Sequence, residues 1–169
     1  MRRFYTDKEI QEKLKNILVL CDTREQVNGN ILSFFDKKKI PYTKRKLDVG
    51  DYSFMVGDDT FEDVLCVERK ANLDEIAGNI TVDRNRLENE FLRAKARGTR
   101  VVLLIEGASW EDIRAHNYIS RLEPKSFLGT LFSWQDKYNL QIIFCKPEET
   151  GSMIYSLFYY RLRNWLKGD

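Results

Sequence analysis

At 169 residues and 20.0 kDa the chain has room for one domain with a sizeable core and too little for two. A hydrophobic content of 43% excludes wholesale disorder, and 28 basic against 26 acidic residues leave a net charge of +2, which neither marks nor excludes a polyanionic partner, so local clustering has to decide. The segment MRRFYTDKEIQEKLK lacks the apolar stretch of a secretory signal and the longest aliphatic run, Val101 to Ile105, is too short for a bilayer, so a cytoplasmic protein without membrane association is expected.

Thr6 and Glu9 form a capping box with Tyr5 and Ile10 as its staple, which predicts a peripheral helix from about Asp7 to Lys15. The apolar run Ile17 to Cys21 reads as a buried strand ending on an acid, Asp22. Turn residues Asn28 to Asn30 lead to a helix over about Ile31 to Lys38, and Pro41 opens an extended stretch. Tyr52 to Val56 and Val64 to Lys70 are expected to pair as a hairpin around Gly57-Asp58-Asp59. Asn72 and Glu75 make a second capping box ahead of Leu73, Ile76, Ala77 and Ile80. A third helix, Arg84 to Arg97, turns Leu87, Phe91 and Ala94 inward and stops at Gly98.

Val101 to Glu106 is another buried strand, Ser109 with Asp112 caps a short helix, and Pro124 begins a longer one carrying Phe127, Leu128, Leu131 and Phe132. Gln141 to Cys145 returns as a strand before a final helix from about Glu149 to Leu166. Strands alternating with helices around one hairpin predict an α/β, three-layer domain with a central mixed sheet. It divides into a peripheral helix at 1–16, a core at 17–147 and a C-terminal helix at 148–169. Cys21, Cys66 and Cys145 each sit in an apolar strand and are read as reduced core residues. His116, the single histidine, is read as a loop residue.

Alternation along Val64 to Lys70 puts Cys66, Glu68 and Lys70 on one face and Leu65, Val67 and Arg69 on the other. If the hairpin pairs as expected, Asp51 stands at the start of the neighbouring strand and approaches Glu68. Two acids and a lysine at one point suit phosphodiester hydrolysis, in which carboxylates hold a hard cation such as magnesium and the ammonium offsets developing charge. On the Glu-x-Lys spacing alone, a surface ion pair on an exposed strand face is the favoured reading.

The ordered set Asp22-Thr23-Arg24-Glu25, Gly50-Asp51, Val67-Glu68-Arg69-Lys70 and Asp74 resembles the nuclease domain of the XPF-type structure-specific endonucleases, whose signature is Gly-Asp, then Glu-Arg-Lys and an acid four residues on. Arg86-Leu87 and the Leu-Leu-Ile-Glu run ending at Glu106 extend the likeness from about Ile17 to Leu162. The resemblance implies a restriction-endonuclease-like core. It implies Mg2+ or Mn2+ on Asp51, Glu68 and the backbone carbonyl of Arg69, with Asp22 as a further acid beside the metal and Lys70 as the catalytic lysine. Glu25 with Arg24, Arg69 and Asp74 are implied as support. Asp22 as a strand-end turn former and Asp74 as a first-turn helix charge are the plainer alternatives. Family members that cut branched DNA carry a tandem helix-hairpin-helix module, and the sequence to Asp169 holds none, so structure specificity is not implied.

Arg86, Arg93 and Arg97 share one side of the third helix, with Arg84 nearby, and are the candidate phosphate track for DNA. Lys37 to Lys39 and Lys44 to Lys46 are weaker candidates. On the last helix Ile154, Leu157, Phe158, Leu162 and Trp165, extended by Tyr155, Tyr159 and Leu166, exceed what one sheet face needs, which suggests either a core helix with amphipathic tyrosines or a homodimer interface. The function expected is a metal-dependent DNA endonuclease of repair, recombination or phage DNA processing. The alternative is an inactive DNA-binding or scaffolding subunit, disfavoured because the motif acids are all present.

Overall fold

The computed structural model describes residues 4–168, so Met1 to Arg3 and Asp169 of the expected domain lie outside the described residues. Elements follow in the order α1 (Asp7–Lys15), β1 (Ile17–Cys21), α2 (Gly29–Lys38), β2 (Tyr42–Lys44), β3 (Tyr52–Val56), β4 (Asp59–Thr60) and β5 (Leu65–Lys70). Then come α3 (Leu73–Thr81), α4 (Arg84–Arg97), β6 (Arg100–Glu106), α5 (Trp110–Arg114), α6 (Pro124–Tyr138), β7 (Gln141–Cys145) and α7 (Thr150–Lys167), the last preceded by a 3-10 turn at Pro147–Glu149.

The strands form one mixed sheet in the order β2-β1-β3-β5-β6-β7, with β4 beside β3. β1 runs parallel to β2 and antiparallel to β3, whereas β5, β6 and β7 are parallel to one another. Alternation divides the side chains between two cores. Val102 and Leu104 of β6, with Leu65 and Val67 of β5, face the layer that holds α1, α2 and α7. Val101, Leu103 and Ile105, with Cys66, face α3, α4, α5 and α6. The three-layer architecture expected from the sequence is the one observed. Glu68 and Lys70 therefore share the Cys66 face, and Arg69 lies on the other.

Four local expectations need correction. The hairpin is interrupted: β3 pairs first with β4 around Gly57, then the chain turns back through Phe61 and rejoins β3 only at Tyr52 opposite Val67. Phe61 is drawn inward because it stacks on Phe54 and meets the Trp165 ring edge-on. The second capping box is half made, since the Asn72 side chain accepts from Glu75 N–H but the Glu75 carboxylate takes the Ala71 N–H instead. On α6 the buried aromatics are Phe127 and Trp134, the latter with its indole N–H on Glu88, while Phe132 is exposed and stacks on Trp110. On α7 the core consumes Ile154, Phe158, Leu162 and Leu166, leaving Trp165 and Tyr160 as the exposed aromatics. That is a narrower surface for a second copy than the sequence offered.

The three cysteines are free and buried, and burial pushes the Cys21 and Cys66 thiols up to about 12, as inert core residues require. Among the described residues no helix is long and apolar enough to cross a membrane.

Candidate active site

Asp51 is fixed by three hydrogen bonds that continue the sheet beyond the end of β3. Its N–H donates to Val67 O at 2.8 Å, its carbonyl accepts the Asp22 N–H at 2.7 Å, and its Oδ2 accepts the Arg69 N–H at 2.8 Å. The residue before it must let the chain pass close to β5. Gly50 has φ +73, and a Cβ there would lie 2.9 Å from Val67 O, so only glycine fits. The carboxylate of Asp51 thus reaches the cleft face of β5 beside Glu68, as the alternation argument expected.

The cleft, about 130 Å³, is lined by Arg24, Gly50, Asp51, Glu68, Lys70, Arg86 and Glu90. Lys70 Nζ donates to Glu68 Oε1 at 2.7 Å and lies 3.7 Å from Glu75. Both Glu68 and Lys70 are buried, at 6% and 4% exposure, which removes the reading of this pair as a surface ion pair. Burial would pull the Lys70 ammonium down, but Glu68, Asp51 and Glu75 hold it above its ordinary range. Asp51 is pushed well above the usual carboxylate range by burial and by the Glu68 charge. Glu68 is also raised, by burial and Glu90, against the opposing pull of Lys70.

The cleft is therefore short of positive charge. Asp51 Oδ1 and Glu68 Oε2 have no protein hydrogen bond among the described residues, whereas their partner oxygens are taken. No cluster of three or more His, Cys, Asp or Glu side chains converges as a metal cage among the described residues. Two carboxylates with a spare oxygen each fit magnesium or manganese, which bind through one or two carboxylates and keep several waters. They do not fit zinc, which wants a closed set of nitrogen and sulfur ligands.

On the opposite face of β5, Arg69 grips Glu106 with Nε and Nη2 at 2.9 and 2.8 Å and gives Nη1 to Glu25 Oε1 at 2.7 Å and to Val27 O at 2.9 Å. Thr150 at the start of α7 donates to Glu106 at 2.6 Å. This knot ties the loop after β1, the ends of β5 and β6, and α7 together behind the cleft.

Asp22 does not stand as a further acid open to a metal. Its oxygens accept from Arg24 N–H, Arg24 Nε and Nη2, and the Leu47 N–H at 2.6 Å, which together hold it below the usual carboxylate range despite burial. Asp22 instead aims Arg24 at the cleft. Asp74 also stands apart: its Oδ1 accepts the N–H groups of Ile119 and Ser120, so it anchors the loop before α6. Of the expected phosphate track only Arg86 lines the cleft. Arg84 pairs with Glu88, Arg97 pairs with Asp48 and Asp63, and Arg93 is exposed elsewhere on α4.

Three participants escaped sequence reading: Glu90, Glu75 and the grip of Glu106 on Arg69. Glu90 sits among the inward positions Leu87, Phe91 and Ala94, and an acid on an apolar helical face was the signal available.

The model of the ERCC4 domain family matches residues 21–157. No curated protein matches the chain. Among solved structures, XPF from Aeropyrum pernix superposes with a TM-score of 0.63 at 23% identity, over 85% of this chain and 61% of that one. XPF from Aeropyrum pernix in complex with DNA superposes with a TM-score of 0.65 at 21% identity, over 87% of this chain and 66% of that one. The chain thus spans somewhat under two-thirds of the length of these relatives, and at this identity the likeness is one of fold.

Proposed function

The chain belongs to the ERCC4 domain family, and from that premise we propose that it is a divalent-metal-dependent endonuclease that hydrolyses DNA phosphodiester bonds. The observation that carries this reading is the pairing of Asp51 and Glu68 in one buried cleft, each with a spare oxygen and each raised in pKa, beside a charged Lys70. Magnesium or manganese would be held by Asp51, Glu68 and the backbone carbonyl of Arg69, and would supply Lewis acidity and an acidified water to phosphodiester hydrolysis.

The protein's own residues do the rest. Lys70 is the general electrostatic partner of the reacting phosphate. Buried and held cationic by its neighbours, it presents a compact charge in a site largely screened from water, where such a charge acts most strongly on developing negative charge. Arg86, with a side chain 60% exposed at the cleft, has free reach toward a DNA backbone, whereas Arg24, 58% exposed, meets one while its Nε and Nη2 stay bonded to Asp22 and the Leu47 carbonyl. Arg69, Glu25 and Glu106 hold β5 in place and touch no substrate. Asp22 acts through Arg24. Arg84, Arg93 and Arg97 were expected to bind DNA, and of these only Arg93 keeps a side chain without an ion pair among the described residues. Association as a homodimer through the exposed end of α7 is carried as part of this proposal, and sedimentation at low and high concentration tests it.

The XPF structure in complex with DNA supports DNA as the substrate class. A panel of single-stranded, duplex, flap, fork and nicked DNAs, each with magnesium, manganese or EDTA, tests the proposal. Cutting of at least one member with metal and none in EDTA is expected. DNA binding without cutting under every condition would turn the reading to a scaffolding subunit.

A further inference from the structure

We propose that Glu90 is a positioning residue of this site. Its carboxylate holds the Gly50 amide and thereby sets where Asp51 presents its own, and its charge raises the affinity of the cleft for a divalent cation. The proposal rests on the endonuclease reading and names a residue outside the signature that carried it.

Glu90 is 6% exposed on the face of α4 that otherwise buries Leu87, Phe91 and Ala94. A carboxylate is costly there unless it is used. Glu90 Oε1 accepts the Gly50 N–H at 2.9 Å, a link across 40 residues of chain between α4 and the turn before β3. Gly50 is thus held from two sides. Behind it, the absence of a Cβ lets its backbone rest against Val67 O, and in front Glu90 takes its N–H. Asp51 follows immediately and is tied to the same Val67 carbonyl, so displacement at Gly50 is passed directly to the Asp51 carboxylate.

The second half of the argument is charge. The charged groups facing Glu68 are Lys70, Asp51, Glu90 and Arg86, and Arg86 lies 4.0 Å from Glu90 with a side chain 60% exposed, so it neutralises Glu90 weakly. Three cations and three acids line the cleft, but Arg24 is taken by Asp22 and Lys70 by Glu68, so Glu90 adds a negative charge beside Asp51 that the exposed Arg86 alone opposes.

Two substitutions separate the two roles. Glu90→Gln keeps an oxygen acceptor for Gly50 and removes the charge. Glu90→Met removes both and suits the apolar face of α4, so folding should survive. Mn2+ binding to the intact chain without DNA is measured by calorimetry, and the cutting rate is measured at saturating Mn2+. Glu90→Gln is expected to bind Mn2+ about tenfold more weakly and to cut at saturating Mn2+ within about threefold of the parent. Glu90→Met is expected to cut roughly a hundredfold more slowly even at saturation, as a misplaced ligand would dictate. A Glu90→Met protein that cuts at the parental rate overturns the positioning role, and unchanged Mn2+ affinity in Glu90→Gln overturns the charge role. If Glu90→Met melts below assay temperature, a Glu90→Gln protein as slow as an Asp51 variant at saturating Mn2+ overturns the positioning role instead. A parent chain that neither binds Mn2+ nor cuts DNA sinks the endonuclease reading itself, an outcome distinct from all of these.

Discussion

The two faces of β5 carry the same kinds of group in opposite electrostatic condition. Behind the strand, Arg69 meets Glu106 as a two-pronged pair, Thr150 adds a further donor, and Glu106 is held below the usual carboxylate range. In front, Asp51 and Glu68 share one lysine and both are raised. A buried charge cluster whose partners match is a structural joint; one left short of positive charge is poised for a cation. Glu25 marks the boundary, because burial raises it even though Arg69 donates to it at 2.7 Å.

The largest effects should come from the unbalanced face. Asp51→Asn keeps the shape and removes a charge that the folded protein holds at a cost. Cutting should fall by at least roughly a thousandfold, since loss of a single well-placed electrostatic group already costs hundreds-fold, while the melting temperature at neutral pH without metal stays level or rises. Lys70→Ala should also cut poorly, and here stability should drop because Glu68 is left buried without its partner. A marked loss of stability in Asp51→Asn would mean that the front face is balanced after all.

The rear face should respond in the opposite way. Arg69→Ala strands Glu106 and Glu25 in the interior, and a loss of about 3–5 kcal/mol in unfolding free energy is expected, with cutting lost as a consequence of unfolding. Chemical denaturation measures it. A stable Arg69→Ala protein that fails to cut would move Arg69 from the joint into the chemistry.

Much of this arrangement was legible in sequence, because strand alternation assigns faces without knowledge of the fold. Glu68 and Lys70 separate from Arg69 on period two alone, and Asp51 at the start of the neighbouring strand is expected to approach Glu68. What was not legible depends on pairing between distant segments. Asp22 looks like a ligand until the Leu47 N–H and the Arg24 side chain are seen to saturate it. Asp74 fits the signature, yet its carboxylate faces a loop 45 residues away in sequence. The arginines of α4 share a helix face by spacing, but Asp48 and Asp63 capture Arg97 at the far end, an outcome set by where the hairpin loops fall.

The proton dependence of stability offers a finer test of the same contrast. Asp51 and Glu68 have folded pKa values above those of the unfolded chain, so the folded state binds protons more readily. Their contribution is fully present below the ordinary carboxylate range and is lost as pH rises through the raised folded values. In EDTA the melting temperature should therefore decline over that window. Glu106, held low, contributes in the opposite sense: its stabilisation is present above the unfolded carboxylate value and lost as pH falls through its folded one. The decline in EDTA should shrink in Asp51→Asn/Glu68→Gln to the share left by Glu25, which burial also raises. Its undiminished persistence there would assign it to other groups.

The smallest expected effect separates two arginines on one helix. Arg86 lines the cleft with its nearest acid at 4.0 Å, whereas Arg97 is committed to Asp48 and Asp63. Arg86→Ala should weaken DNA binding across all sequences and lower the slope of log affinity against log salt by about 1, the signature of one lost phosphate contact. Arg97→Ala should leave both unchanged. Binding measured in calcium, at several salt concentrations, isolates affinity from cutting. Equal losses for the two variants would mean that DNA runs along the whole of α4 and displaces the Arg97 pairs, and the cleft would then be one end of a longer track.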